Sequence, residues 1–360
     1  MLIQKFTTLF KDVTRQGTKI PKEEYLTHGK NIIIDQGQDI IAGYTNCEDG
    51  IFKKIPAIVF GDHTRIIKYV DTPFFLGADG VKVLKCTDKN ANYRYLYYAL
   101  KNAHIPNTGY NRHFKWLKEI TINYPDKNKQ NDIVNILDKL EYIIKIRSQE
   151  LDKFDELIKA RFVEMFGDPV QNSLNKPMVK LESLGDWKSG GTPARSNPNF
   201  YDGNINWFSA GELDSLYLSK SKEKITDEAV RKSSTKLFAK GSMLIGMYDT
   251  AAFKMGILKE PSCANQACAN IRANEKVNVI WLYYELQAMK KYFLNQRHGV
   301  RQKNLTLKMI KQFEIPYFDL SLQNKFANFV QQVNKSKVAV QKSLDETQTL
   351  FDSLMQKYFR

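Results

Sequence analysis

Long apolar runs are missing from this chain. No stretch exceeds a few apolar residues, which excludes a membrane-spanning helix. The opening Met-Leu-Ile-Gln-Lys-Phe lacks the apolar block and cleavage site of a signal peptide. Cysteine is scarce. Cys47, Cys86, Cys263 and Cys268 form no C-x-x-C pair and no zinc spacing, so they read as buried or incidental thiols of a reducing cytoplasm. His28, His63, His104, His113 and His298 show no paired spacing for a metal, and no Ser–His–Asp set emerges from scattered single residues. Acid is short too: 39 Asp and Glu stand against 54 Lys and Arg, a formal net charge of +15.

Three near misses mark the catalytic motifs that are absent. Gly185 to Thr192 has the glycine and threonine spacing of a phosphate-binding loop, but Gly191 stands where that loop needs lysine. Asn197-Pro198-Asn199-Phe200 is similar to the tetrapeptide of amino-methyltransferases, with Asn199 replacing the second proline and no Gly-rich cofactor motif elsewhere. Asp186-Trp187-Lys188 fits the tail of a nuclease motif without its upstream acid. The charge surplus points instead to a polyanion, most often nucleic acid, whose neutralised phosphates release counterions. A Lys-rich, AT-biased proteome gives the same balance.

Proline and glycine are absent from two further stretches, and these organise the chain. From Lys127 to Phe166 the apolar residues fall at heptad spacing, in columns Ile133, Leu140, Arg147, Phe154, Arg161 and Leu137, Ile144, Leu151, Ile158, Met165. Adding 193 gives Phe326, Val333, Val340, Thr347, Leu354 and Val330, Lys337, Leu344, Phe351, Tyr358. The spacing predicts two helices, each burying a narrow seam against a partner helix and each on the order of 60 Å long. Charges at Arg147, Arg161 and Lys337 and the hydroxyl of Thr347 fix register, or face a second protein where the seam opens.

Ahead of each helix lies a mixed block. Asn31 to Asp35 and Ile55 to Phe60 read as strands, Gly43 to Asn46 and Phe60 to His63 as loops, Tyr93 to Lys101 as a short helix, and Ile120 to Tyr124 as a closing strand. Gly167-Asp168-Pro169 ends the first long helix. The second half retells the first. Lys180 to Leu184 echoes Lys5 to Leu9, Gly246 and Asp249 echo Gly61-Asp62, and Trp281 to Tyr284 echoes Tyr95 to Tyr98. Gly299 to Arg301 echoes Gly109 to Arg112, and Gln323-Asn324 echoes Gln130-Asn131. The offset grows within the domain, so the second copy carries extra residues. The architecture is domain 1–125, helix 126–169, domain 170–317, helix 318–360: an α+β tandem duplication. Antiparallel pairing of the helices would relate the copies by an approximate two-fold axis, and a reader of DNA with that shape would address two half-sites separated by a gap.

The binding candidates are basic loops. In the second domain they are Ser189, Thr192 and Arg195 of the Ser189-Gly-Gly-Thr-Pro-Ala-Arg195 loop, then Lys220, Lys222, Lys224, Arg231, Lys232, Lys236 and Lys240, with Lys254 beyond. In the first they are Arg15, Gln16, Lys19, Lys22, Lys53, Lys54, Arg65 and Lys68. Arg112 and Arg301 stand after a glycine at repeated positions. Gln36, Asn46, Asn265 and Gln266 could read adenine edges or simply form turns. The Tyr and Trp clusters at 93–98 and 281–284 read as core.

The chain resembles the specificity subunit of Type I restriction–modification systems over essentially its whole length. The features that carry this are the two heptad helices, Ile122 to Val134 with Gln130-Asn131, its copy Ile315-Pro316 with Gln323-Asn324-Lys325-Phe326, Lys188 to Pro193, and Phe166 to Pro169. Domain one departs from the pattern, with Arg15-Gln16-Gly17-Thr18-Lys19 in place of the Ser-Gly-Gly-Thr-Pro loop. The resemblance implies a pseudo-two-fold pair of target-recognition domains, each reading half of a bipartite double-stranded DNA target. It implies antiparallel coiled-coil helices that set the spacer and dock two modification subunits, with Arg147 and Lys337 as candidate contacts. S-adenosylmethionine, ATP and Mg would be bound by the modification and restriction subunits, with no cofactor, catalysis or membrane attachment in this chain. The rivals are an enzyme with nuclease or methyltransferase activity, and a solitary DNA-binding or scaffold protein of the same architecture.

Overall fold

The computed structural model describes residues 2–77, 80–296 and 304–359. The chain divides into two compact units, residues 1–149 with 340–360, and residues 150–339, so the division falls within both long helices.

In the first unit a four-stranded antiparallel sheet runs Phe10–Asp12, Val81–Cys86, Ala57–Gly61, Ile67–Val70. Ala57–Gly61 is buried throughout, as a run of Ile, Val and Phe at the centre of a sheet requires. Its alternate side chains serve two cores. Ile58 and Phe60 pack with Leu84 under the helix Tyr93–Lys101. Ala57 and Val59 pack with Ile34, Phe74 and Leu76 of a three-stranded sheet ordered Gly43–Thr45, Asn31–Ile34, Phe74–Leu76. Gly43–Thr45 is therefore an edge strand and not the expected loop. Its turn-forming composition conceals an antiparallel ladder in which Gly43 lies opposite Ile33.

The second unit repeats the order. Its main sheet runs Gly185–Ser189, Cys268–Ala273, Met243–Gly246, Met255–Leu258, and a fifth strand, Tyr217–Leu218, is added at the edge. The three-stranded sheet reads Glu223–Ile225, Tyr201–Phe208, Cys263–Ala264. In both units the central strand of the small sheet pairs parallel with one neighbour and antiparallel with the other. A two-stranded ribbon closes each domain, Leu2–Lys5 on Thr121–Tyr124 and Met178–Lys180 on Glu314–Pro316. The extra residues of the second copy build Tyr217–Leu218 and the helix Asp227–Lys232, so the Lys-rich stretch lies on and beside these inserted elements.

The long helices run Lys127–Phe166 and Leu320–Phe359, 40 residues each, and the offset of 193 superposes their limits to the residue. In the first unit Ile133 and Leu137, near the start of one helix, share a core with Phe351 and Met355, near the end of the other. In the second unit Phe162 and Phe166 meet Phe326, with ring centroids 5.4 and 5.5 Å apart. The pairing within each unit is antiparallel. Of the polar seam positions, Lys337 pairs with Asp155 at 2.7 Å, and Arg161 pairs with Glu164 while lying over Phe329. The Thr347 hydroxyl donates back to the Ser343 carbonyl one turn earlier. Arg147 is half-buried.

The repeated Gln–Asn pair clamps each domain to its helix. Asn92 caps Tyr93–Lys101, accepting the backbone N–H groups of Arg94 and Tyr95. Its own N–H donates to Gln130 Oε1 (3.0 Å) and its Nδ2 to Asn131 Oδ1 (2.9 Å), while Gln130 Nε2 donates to the Pro125 carbonyl (2.8 Å). Asn278, Gln323, Asn324 and Phe318 make the same three bonds at 2.8, 2.8 and 2.7 Å. Both glutamines are buried, as an amide bonded through both its oxygen and its nitrogen can be. The aromatic clusters are core as expected: Tyr95, Leu96, Tyr98, Trp281 and Leu282 have no exposed surface.

Candidate nucleic-acid interface

The strand Phe10–Asp12 leads into residues 13–19, and Gly185–Ser189 leads into 189–195, so the two loops occupy equivalent places despite their different sequences. In both, glycine answers the protein's own packing. A Cβ on Gly17 would lie 2.3 Å from Leu76, and Cβ atoms on Gly190 and Gly191 would lie 2.1 Å from the Asn265 carbonyl and 2.5 Å from the Ser234 carbonyl. The Gly-Gly pair expected to approach a nucleic-acid backbone thus packs against backbone of its own domain.

Around these loops the basic residues differ in exposure and in the partners they meet. Arg195 is exposed, yet its guanidinium pairs with Glu223 and lies 4.6 Å from the Tyr201 ring centroid and 5.1 Å from that of Trp207. The Thr192 hydroxyl donates to the Gln266 side chain, and Ser189 ends its strand opposite Ala269. Lys254 Nζ donates to the Gly211 carbonyl at 3.0 Å. Arg65 is half-buried and reaches the Ile105 carbonyl at 3.3 Å. Arg15, Lys19, Lys54, Arg112, Lys220 and Lys222 are exposed. Lys54 Nζ donates to Gln16 Oε1 at 2.9 Å, which brings Arg15 and Lys54 to one patch. Lys68 points inward: it is buried, donates to the Asp39 carbonyl at 2.5 Å, and lies 3.5 Å from Asp35. Burial lowers its pKa against the pull of Asp35, so this lysine braces the 35–39 loop. Arg301 lies outside the described residues.

Of the amides considered as base readers, Asn265 forms a turn, while Asn46 and Gln36 tie one loop to another. Asn265 Oδ1 accepts the Ala267 N–H, Asn46 Oδ1 accepts the Lys30 N–H, and Gln36 Oε1 accepts the His63 N–H. Burial pushes the Cys263 and Cys268 thiols up to about 11 and about 12, so both stay protonated and unreactive. Among the described residues no group of three His, Cys, Asp or Glu side chains could hold a metal, and no helix is long and apolar enough to cross a membrane. Sequence reasoning passed over Tyr110, an exposed ring stacked on His63. Its position between the repeated glycine and arginine was the available signal.

Two copies of one α+β domain, each clamped to a long helix and presenting basic loops, define a duplicated DNA-recognition scaffold. The profile of the Type I restriction modification DNA specificity domain matches residues 8–154 and again 175–347. The chain belongs to this family of Type I specificity subunits, which recognise DNA as part of a restriction–modification complex and leave catalysis to partner subunits. It is 26% identical over 320 residues to the Type I restriction enzyme EcoR124I/EcoR124II specificity subunit of Escherichia coli, covering 83% of this chain and 78% of that one. Its fold is similar to the crystal structure of a Type I restriction–modification S subunit from M. genitalium, with TM-score 0.67, 18% identity and coverage of 100% and 96%. A further solved chain, from work on assembly and conformational transition of a type I restriction–modification system, gives TM-score 0.58 at 16% identity, covering 99% and 95%.

Proposed function

We propose that each of the two domains, 1–125 and 170–317, reads one half of a bipartite DNA target, and that the paired long helices set the spacer between the halves. The observation that carries this is the duplication itself: two copies share strand order, capping asparagine and Gln–Asn clamp, so each domain is fixed to its own helix in the same way. Exposed Arg15, Lys54 and Arg112 in one domain and Lys220 and Lys222 in the other hold phosphates. The helices dock two modification subunits, with Arg147 and Lys337 among the contacts. A restriction subunit completes the complex in the cytoplasm, and S-adenosylmethionine, ATP and Mg belong to those partners. Mapping methylated adenine across the host genome, with this gene intact and deleted, tests the reading. Loss of one gapped, two-part motif is expected on deletion. An unchanged methylation pattern would overturn it.

A further inference from the structure

Three loops of the first unit converge beside Tyr110. The 106–112 loop is tied within itself: Gly109 N–H donates to Asn107 Oδ1 (3.2 Å), Asn111 N–H to the Gly109 carbonyl (2.8 Å) and Asn111 Nδ2 to the Thr108 carbonyl (2.5 Å). Gly109 adopts φ +78° with open space where a side chain would stand. The loop's base is anchored at buried His113, whose backbone N–H donates to the Asp62 carbonyl (2.8 Å), while the Phe114 N–H donates to Asp62 Oδ1 (2.7 Å). The second loop, 61–65, carries His63 and is fastened to the third by His63 N–H on Gln36 Oε1 (3.1 Å) and the Thr64 hydroxyl on the Gln36 carbonyl (2.6 Å). Arg65 ties the second loop to Ile105 at the start of the first.

On this braced platform the Tyr110 ring lies parallel to the His63 ring, centroids 4.7 Å apart and planes 10° apart. It is nonetheless 86% exposed, the highest value for a large apolar side chain among the described residues. One face is backed and the other is open. The surrounding sequence is one-signed: residues 89–118 hold Lys89, Arg94, Lys101, Arg112, Lys115 and Lys118 and no Asp or Glu.

We propose that Tyr110, backed by His63, is a DNA-contacting residue of the first domain. Its open ring face lies against a base or deoxyribose, and Arg112 holds the neighbouring phosphate. A ring already oriented loses little freedom on binding, and aromatic faces bind bases by stacking while the cations bind phosphate. The second copy carries Gly299-Val300-Arg301 at the echoing place, with no aromatic, so the contact belongs to one half-site alone.

This rests on the DNA-reading function proposed above, and the test separates the two. The full chain with its modification subunits is used to select duplexes from a randomised pool, and affinities for the selected duplex are then measured for Tyr110→Ala and Tyr110→Phe. Tyr110→Ala is expected to weaken binding roughly ten- to a hundred-fold. It should relax base preference in one half of the motif, while Tyr110→Phe binds like wild type and all proteins melt alike. A wild-type complex that selects no gapped motif overturns both readings. A selected motif that Tyr110→Ala reads with unchanged affinity and preference overturns this one alone. So does a Tyr110→Ala chain that loses its modification subunits yet keeps its DNA preference, which would make the ring a protein contact.

Discussion

Glu285 lies on the helix Val279–Leu294 with no exposed surface, and neither carboxylate oxygen has a hydrogen-bond partner among the described residues. Burial raises its pKa from 4.5 to about 8, so the folded chain keeps a proton that the unfolded chain releases. Stability from this group is full below about pH 4.5 and is lost as pH rises toward about 8. Glu285→Gln keeps the shape without the charge. It is expected to be near neutral at pH 5 and to stabilise by about 1–3 kcal/mol at pH 8. Urea unfolding followed by tryptophan fluorescence reads this, because three of the four tryptophans (Trp187, Trp207, Trp281) lie in the second unit. An equal loss of stability at both pH values would show that the carboxyl is held in some other way. The contrast with Arg195 is instructive. Its partner Glu223 lies in solvent, so breaking that pair should cost at most about 1 kcal/mol.

At the scale of elements, the joint between helix and domain decides stability. Arg94 donates to Asp138 at 2.6 Å and to Glu141 at 2.8 Å, and the Tyr98 hydroxyl donates to Asp138 at 2.6 Å, fastening Tyr93–Lys101 to the first long helix. The equivalent of Arg94 in the second copy is Ile280, so there the clamp rests on Asn278, Gln323 and Asn324, with no such ion pair among the described residues. Arg94→Ala should therefore destabilise the first unit by about 1–3 kcal/mol. Gln130→Ala and Gln323→Ala should each cost about 1–3 kcal/mol, since each strands a backbone N–H at a helix cap and a carbonyl behind it. Hydrogen exchange at residues 93–98 and 279–284 would show the two clamps loosening separately. Protection unchanged in both would mean that apolar packing alone holds the joints.

For the whole molecule, lengthening both long helices by one heptad adds about 10 Å to each, the rise of about three base pairs. The expected product reads the same half-sites across a spacer wider by about that amount, as methylated-adenine mapping would reveal. Changed half-sites with a fixed spacer would refute a ruler made of helices. With 54 cations against 39 acids, DNA affinity should also fall steeply with salt, roughly a thousand-fold between about 50 and 200 mM. A shallow dependence would count against phosphate contacts.

Heptad periodicity made both long helices legible, their ends falling within three residues of the expected 126–169 and 318–360, because a helix that buries a seam must repeat its apolar residues and exclude proline and glycine throughout. Duplication was legible for the same reason: residues with obligatory partners, such as Gln130-Asn131 and Gln323-Asn324, recur wherever the joint recurs. What those residues do was decided only by the tertiary structure, which made them clamps. The same holds for the loops. Ser189 to Arg195 reads as a ligand loop, yet its glycines pack on Ala264, Asn265 and Ser234 and its arginine on Glu223, Tyr201 and Trp207, partners 6 to 75 residues away along the chain. Lys68, expected at the surface, turned inward, and Tyr110, on which no expectation rested, turned outward. Periodic local pattern specifies an element, whereas exposure of a loop side chain depends on which distant segments fold beside it.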